Sequence, residues 1–192
     1  MHLIKSHLNR ITSKRLTLRL ISLKDAPSIY AYAKDKAVAE LTMWNPHKRL
    51  SDTKEFINEY ILPNYQKDIP EPYGITLKEK PDNIIGTIGC FWNSEKNKEM
   101  EIAYALSKDF WGKEIIVEAS KVLIPLIFKY FDVNRIQARC KAENLSSEKV
   151  MKKLCMTYEG TLRQKIFHNN RFWDMKYYSI LKGDTSILLA EE

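Results

Sequence analysis

Leu16, Leu18 and Leu20 alternate with Thr17 and Arg19, a period of two that predicts a strand over residues 15–21 with one face in a core. Ser22-Leu-Lys-Asp25 follows as a capping box and starts a helix that runs to about Lys34. A second helix is predicted over residues 50–67, capped by Asp52 and Glu55, with Phe56, Ile57 and Tyr60 on its apolar face. Residues 73–77, 84–92 and 99–106 read as three strands of a meander, turning at Pro81-Asp-Asn83 and again over residues 93–97. A loop over residues 107–113 then feeds a long helix from about 113 to 130. Its apolar positions Ile115, Ala119, Val122, Leu126 and Tyr130 keep a helical period. Residues 135–140 form a strand, and Asn144 caps a helix to about Leu154. Residues 158–168 and 171–181 are strands joined at Asn169-Asn170, a pair that tolerates positive φ. The order is β-α-α-β-β-β-α-β-α-β-β. A meander followed by two crossovers implies an α/β (α+β) fold: a mixed, mostly antiparallel seven-stranded sheet with helices on both faces. Residues 1–12 read as a loose lead-in and 183–192 as a mobile tail.

Composition narrows the class. The chain has 192 residues, 44% of them apolar and 29% charged, which suits one domain over 1–192 with its core in 13–182. No apolar run reaches the roughly 18 residues of a membrane span. The first ten residues, MHLIKSHLNR, are broken by Lys, His and Arg and have no signal-peptide core, so the expected location is cytoplasmic. Cys90, Cys140 and Cys155 are too few and too widely spaced for a disulfide framework or a zinc site, and the four histidines do not cluster; reduced core thiols and no metal are expected. The net charge of +7 admits a nucleic-acid, membrane or anionic-cofactor partner. The Lys and Arg residues are spread along the chain, however, and only Lys149, Lys152 and Lys153 group at helical spacing. A solvated basic surface is the plainer reading, with an RNA- or ribosome-binding module kept as an alternative.

Two stretches carry candidate chemistry. Asp109-Phe-Trp-Gly-Lys-Glu114 joins a strand to a helix start, where free amides and the helix dipole favour an anion and Gly112 permits close approach; Gly112 alone is also what a tight turn needs. Asn144 and Ser147 lie near the start of one helix, where they can meet a ligand or simply cap.

Taken together, Arg15-Leu-Thr-Leu-Arg-Leu20, Glu101-Ile-Ala-Tyr-Ala-Leu106 with Phe110-Trp-Gly-Lys113 and Glu118-Ala119, Asn144-x-x-Ser147 with Lys153-Leu-Cys-Met156, and Tyr158-Glu-Gly-Thr-Leu-Arg163 with Asp174 resemble the GNAT superfamily, in its ribosomal-protein N-acetyltransferase (RimJ/RimL) branch, over residues 13–181. The resemblance implies acetyl-CoA as co-substrate and direct attack by an amine, without metal or covalent intermediate. Pantetheine would lie between the strands at 99–106 and 135–140, pairing with backbone near Ala105 and Leu106. The pyrophosphate would rest on the loop of Trp111, Gly112, Lys113, Glu114 and Ile115, with Asn144 beside the cofactor. Many members place a Tyr acid seven residues after the motif Asn; here that position is Met151, so Ser147 is the expected acid. The branch carboxylate falls at Ile166, so Glu101 is the first candidate base and His168 the second, although Glu101 is also read as a solvated strand-end charge. Two positions depart from the family. Glu114 replaces Gly or Ala in the pyrophosphate loop, and Cys155 replaces a Gly, which is expected to keep that site out of the left-handed conformation. The resemblance puts the acceptor pocket around Trp44, His47, Tyr65 and Trp173, which either stack on a substrate or, the plainer reading, simply pack. The implied acceptor is a protein N-terminus, a ribosomal protein included, or a small amine, and the chain a monomer or homodimer. A catalytically inactive acyl-CoA sensor is the alternative within the family.

Overall fold

The computed structural model describes residues 8–66 and 71–184. The predicted lead-in contains a strand: β1 (Arg10–Thr12) pairs antiparallel with β2 (Leu16–Arg19), Ile11 opposite Leu18, because Leu8 and Ile11 bury on the same core as Leu16 and Leu18. The sheet therefore has eight strands rather than seven. The Ser22–Asp25 capping box is present and leads through a single 3-10 turn into α1 (Ala26–Ala33). A short α2 (Lys36–Glu40), which the hydrophobic pattern did not signal, follows. The second predicted helix divides into α3 (Leu50–Phe56) and α4 (Leu62–Gln66) around a π-helical turn, Ile57–Ile61. Pro63 has no N–H to continue the α ladder there, and the Leu62 amide reaches back to the Ile57 carbonyl. Lys67, the predicted end, lies outside the described residues, as does 185–192 of the predicted tail; residues 182–184 form a 3-10 turn.

β3 (Tyr73–Leu77), β4 (Lys80–Ser94) and β5 (Glu99–Leu106) form the meander. Their first turn falls at Lys78-Glu79 instead of Pro81-Asp-Asn83: Leu77 pairs with Lys80, and Pro81 is accommodated where the register shifts. Then come α5 (Ile115–Tyr130), β6 (Arg135–Lys141), α6 (Leu145–Lys153), β7 (Thr157–His168) and β8 (Arg171–Leu181). Asn169 and Asn170 both take positive φ, as a two-residue hairpin turn requires. Cys155 does so too, at φ 53, contrary to the expectation that losing the family Gly would remove the left-handed conformation. The chain must reverse directly after α6 to bury Leu154 and Met156, and that tertiary requirement outweighs the roughly 1–2 kcal/mol penalty of the left-handed region.

The strand order is β1-β2-β3-β4-β5-β6-β8-β7, with β5–β6 the only parallel pair among the described residues. Helices cover both faces, as expected. On one face α5 and α6 bury Ile116, Leu123, Ile127 and Met151 against Leu18, Ile88, Met100 and Ile136. On the other, α1, α2 and the α3–α4 segment bury Ile29, Tyr32, Val38, Ile57 and Ile61 with Ile21 and Ile84. α6 is fastened to β8 by Glu148, which accepts from Lys152, Lys176 and the Tyr178 hydroxyl; these bonds hold its carboxyl down at about 2. Among the described residues no helix is long and apolar enough to cross a membrane. The three cysteines are free, with Cys90 and Cys140 buried.

Candidate active site

The parallel pairing of β5 with β6 lasts for three residue pairs, from Glu99–Arg135 to Glu101–Gln137. Beyond Glu101 each strand stays with its antiparallel neighbour, β5 with β4 as far as Leu106 and β6 with β8 as far as Lys141. The two therefore diverge and leave a V-shaped gap in the middle of the sheet. The Ser107 amide donates to the Ile85 carbonyl at 2.8 Å. Backbone groups alternate sides along a strand, so Ala105 turns its amide and carbonyl to β4, whereas Ile102, Tyr104 and Leu106 turn theirs to the open edge. Of the two predicted backbone positions, Leu106 thus faces the gap and Ala105 does not, although Ala105 is among the residues that line the cleft. The Leu106 carbonyl is already taken by the Trp111 indole N–H at 2.9 Å, so Trp111 pins the turn between β5 and α5.

A cleft of about 300 Å³ occupies the gap, within the size range of ligand pockets. Ala105, Leu106, Trp111, Gly112, Glu114 and Ile115 line one wall; Asn144, Ser147 and Lys153 line the other, with Leu41 and Thr42 after α2 at the rim. Gly112 at φ 73 and Glu114 at φ 60 bend the chain so that α5 begins at Ile115 without a side-chain cap. Its first amides are consequently open to a ligand. This start is braced from β2. The Arg15 guanidinium donates to the Lys113 carbonyl at 3.0 Å and to Glu118 at 2.6 Å, and Glu118 also accepts from the Ser13 hydroxyl and the Arg15 amide, each at 2.7 Å. Burial raises the Glu118 carboxyl, but these bonds outweigh it and hold the group below its ordinary value. Because a trans peptide places C=O and N–H on opposite sides, tying the Lys113 carbonyl to Arg15 turns the Glu114 amide the other way. The Lys113 side chain does not line the cleft; its ammonium lies 5.2 Å from the Phe110 ring centre. The Glu114 carboxylate reaches across to Lys153 on α6, 2.6 Å away, so its charge is answered at the cleft mouth.

On the opposite wall Asn144 caps α6, accepting from the Ser147 amide at 3.0 Å, and donates to the Leu41 carbonyl at 3.2 Å. Met151 is buried in the core and has no proton to offer. The sequence reading missed Tyr104, which lines the cleft with its hydroxyl donating to the Ser147 carbonyl at 3.5 Å. Burial pushes this phenol up, partly offset by Ser147. The signal was available: alternation puts Tyr104 on the α5–α6 face with Ile102 and Leu106, at the edge where pairing stops.

Glu101 and His168 do not line this cleft. Glu101 is buried on the other face of the sheet, at the vertex of the gap, accepting from Arg139 at 2.8 Å and Gln137 at 2.7 Å. It is therefore not the solvated strand-end charge of the plainer reading. His168 ends β7 near the hairpin tip; its carbonyl accepts from the Trp173 indole, and its buried Nδ1 has no hydrogen-bond partner among the described residues. The aromatic residues expected around an acceptor mostly pack. His47 bonds Thr53 and contacts Trp44, Tyr65 bonds the Ile21 amide and the Pro72 carbonyl, and Trp173 lies between Lys141 and Arg171.

A sheet parted at the parallel pair β5–β6, with an uncapped helix start at the mouth of the gap, defines a class of acyl-CoA-dependent transferases, and comparison with known proteins agrees. Residues 15–157 match the acetyltransferase (GNAT) domain family, and the chain belongs to it. The protein is similar to the uncharacterized N-acetyltransferase YnaD of Bacillus subtilis, 31% identical over 91% of this chain and 98% of that one. It is also similar to the ribosomal-protein-serine acetyltransferase of Escherichia coli, 30% identical over 52% of this chain and 56% of that one. The RimL ribosomal L7/L12 α-N-protein acetyltransferase, solved with coenzyme A, shares the fold with a TM-score of 0.79 at 22% identity, over 90% of this chain and 97% of that one. This chain is an acetyl-CoA-dependent N-acetyltransferase.

Proposed function

We propose that the acceptor is a primary amine, a protein N-terminus in the first place, acetylated by direct attack in the gap between β5 and β6. The observation that carries this reading is the gap itself: an open strand edge that ends at the uncapped start of α5. The cleft residues fit acetyl-CoA, which would supply the acetyl group as a thioester. The amides of 112–117 suit its pyrophosphate, and the edge-facing backbone of Tyr104 and the Leu106 amide suit an extended pantetheine. An N–H on that edge is a donor for the thioester carbonyl, placed where negative charge develops. Ser147 and Tyr104 lie on the side where the thiolate departs and are the candidate acids, and Glu101 at the vertex is the first carboxylate to weigh as base, since the position of the branch carboxylate is held by Ile166. The ribosomal acetyltransferase among the relatives supports a peptide N-terminus as acceptor. Incubating the protein with acetyl-CoA and a short peptide bearing a free N-terminal serine should release free thiol and add one acetyl group to the peptide, read by mass spectrometry. The reading fails if no panel of peptide N-termini or small amines is acetylated.

Glu114 offers a separate check. Glu114→Gly removes the left-handed strain of a residue with a side chain, about 1 kcal/mol, and frees Lys153 to face the diphosphate. Removing a carboxylate near an anion in exposed surroundings contributes about 1 kcal/mol. The variant is expected to bind acetyl-CoA about fivefold more tightly in dilute salt, less so at high salt, and to melt no lower than the parent without ligand. Calorimetric titration at two salt concentrations measures this; weaker binding in dilute salt would show that Glu114 assists the cofactor.

A further inference from the structure

At the vertex of the gap, the sheet face opposite α5 and α6 is open. Ala103 stands mid-strand in β5, deep inside an eight-stranded sheet, yet it is exposed, as is Arg139 on β6. An amine approaching the gap from this face passes over Ala103. Two carboxylates border the opening. Glu101 is answered by the Arg139 guanidinium and the Gln137 amide. Glu71 is not. It lies at 5% exposure against Gly89, the cross-strand partner of Ala103, so closely that a Cβ at Gly89 would stand 2.6 Å from its Cγ. Its partners are neutral: the Asn64 amide donates to the carboxylate at 3.2 Å, and the Tyr60 hydroxyl lies alongside. Among the described residues the other titratable groups near it are Tyr65 and Cys90, both pushed up by burial and uncharged at neutral pH. Among the described residues no cation pairs with Glu71. Burial raises its carboxyl, against the bonds from Tyr60 and Asn64. A buried carboxylate without a countercharge disfavours folding, and a raised carboxyl beside an open site is suited to accept a proton near neutral pH.

We propose that Glu71, rather than the ion-paired Glu101, receives the proton of the acceptor ammonium at the opening over Ala103. This inference rests on the transferase reading above and deepens it. One proton passes from R–NH3+ to the Glu71 carboxylate. The freed nitrogen lone pair forms the C–N bond as the C–S bond breaks. The second N–H proton leaves the product nitrogen, and an equal one reaches the departing sulfur from the Tyr104–Ser147 side. Glu71 returns its proton to solvent. Ammonium and thioester thus give amide, thiol and one released proton.

The test compares wild type, Glu71→Gln, Glu101→Gln and Tyr60→Phe with acetyl-CoA and the N-terminal-serine peptide across pH 6–9, together with calorimetric acetyl-CoA affinity and melting temperature. Glu71→Gln keeps the shape and the Asn64 contact. It is expected to lower kcat/KM by about 10²–10⁴-fold, to abolish the acidic limb, and to leave acetyl-CoA affinity within about twofold. The sign of the stability change is fixed by linkage. A carboxyl whose folded value is raised destabilises the fold as pH climbs through that value, so Glu71→Gln should melt higher than wild type at pH 8 and converge with it in acid. Tyr60→Phe removes a bond that favours the anion and should move the acidic limb to higher pH. A Glu71→Gln enzyme with wild-type kcat/KM and an unchanged acidic limb overturns the proposal while the transferase reading stands, and so does a loss confined to Glu101→Gln. A wild type that binds acetyl-CoA but acetylates no amine overturns both.

Discussion

Replacing Tyr104 by Phe and Ser147 by Ala together is expected to lower kcat for acetyl transfer by about 10²–10⁴-fold, the usual contribution of a positioned proton donor, while acetyl-CoA binds within severalfold of wild type. Both hydroxyl-bearing residues line the cleft, one from β5 and one from α6, and the Tyr104 hydroxyl reaches the Ser147 carbonyl. Either can serve a departing thiolate, so each single variant should lose less than the pair, and the non-additive cycle reports the shared role. The fold should survive both changes. Asn144 caps α6 through the Ser147 amide and not through its hydroxyl, and Phe keeps the packing of the Tyr104 ring. Because burial pushes the Tyr104 phenol up, it stays protonated through the physiological range and should add no alkaline limb below about pH 10. Stopped-flow measurement of thiol release under saturating acetyl-CoA is the readout. A double variant with wild-type kcat would remove the acid role from this pair altogether.

Glu118→Ala is expected to cost about 2–3 kcal/mol of stability, roughly 5–10 °C in melting temperature for a chain of this size, and to weaken acetyl-CoA binding as well. Glu118 gathers the Ser13 hydroxyl, the Arg15 amide and the Arg15 guanidinium, with its own side chain only 18% exposed. Without it Arg15 no longer holds the Lys113 carbonyl, and the amides at the start of α5 lose their aim. The pH dependence has a definite sign. The folded carboxyl lies below its ordinary value, so its contribution is fully present above the unfolded value near 4.5 and fades as pH falls through the folded one. Wild type and variant should therefore differ most at neutral pH and converge in acid. Calorimetric melts from pH 3 to 7 check this. A difference that persists unchanged at pH 3 would assign the loss to packing rather than to the carboxylate.

The alternating Leu16-Leu18-Leu20, the Ser22–Asp25 box, the helical period from Ile115 to Tyr130 and the Asn169-Asn170 turn were all legible along the chain, because each expresses a preference that nearby residues satisfy by themselves. The uncapped start of α5 was legible for the same reason, since a loop with Gly112 before a helix places free amides wherever the helix goes. Edges were less so. β1 is too short to show a period and exists because β2 offers a partner, and α3 and α4 part around a π turn that Pro63 makes necessary. The chemistry of the site was decided by tertiary structure. Glu114 suggested repulsion of a diphosphate until Lys153, thirty-nine positions on, was found beside it. Glu101 looked like a free base, and only the approach of β6 shows Arg139 and Gln137 holding it. Tyr104 became a candidate acid only because β5 and β6 part after three residue pairs. Glu71 carries no sequence signal at all, since what distinguishes it is burial over Gly89 without a countercharge among the described residues. Local pattern determines which elements form, because propensity and periodicity act over a few residues. The charge state and reach of a side chain depend on desolvation and on partners that folding brings from far along the chain, and these only the assembled sheet supplies.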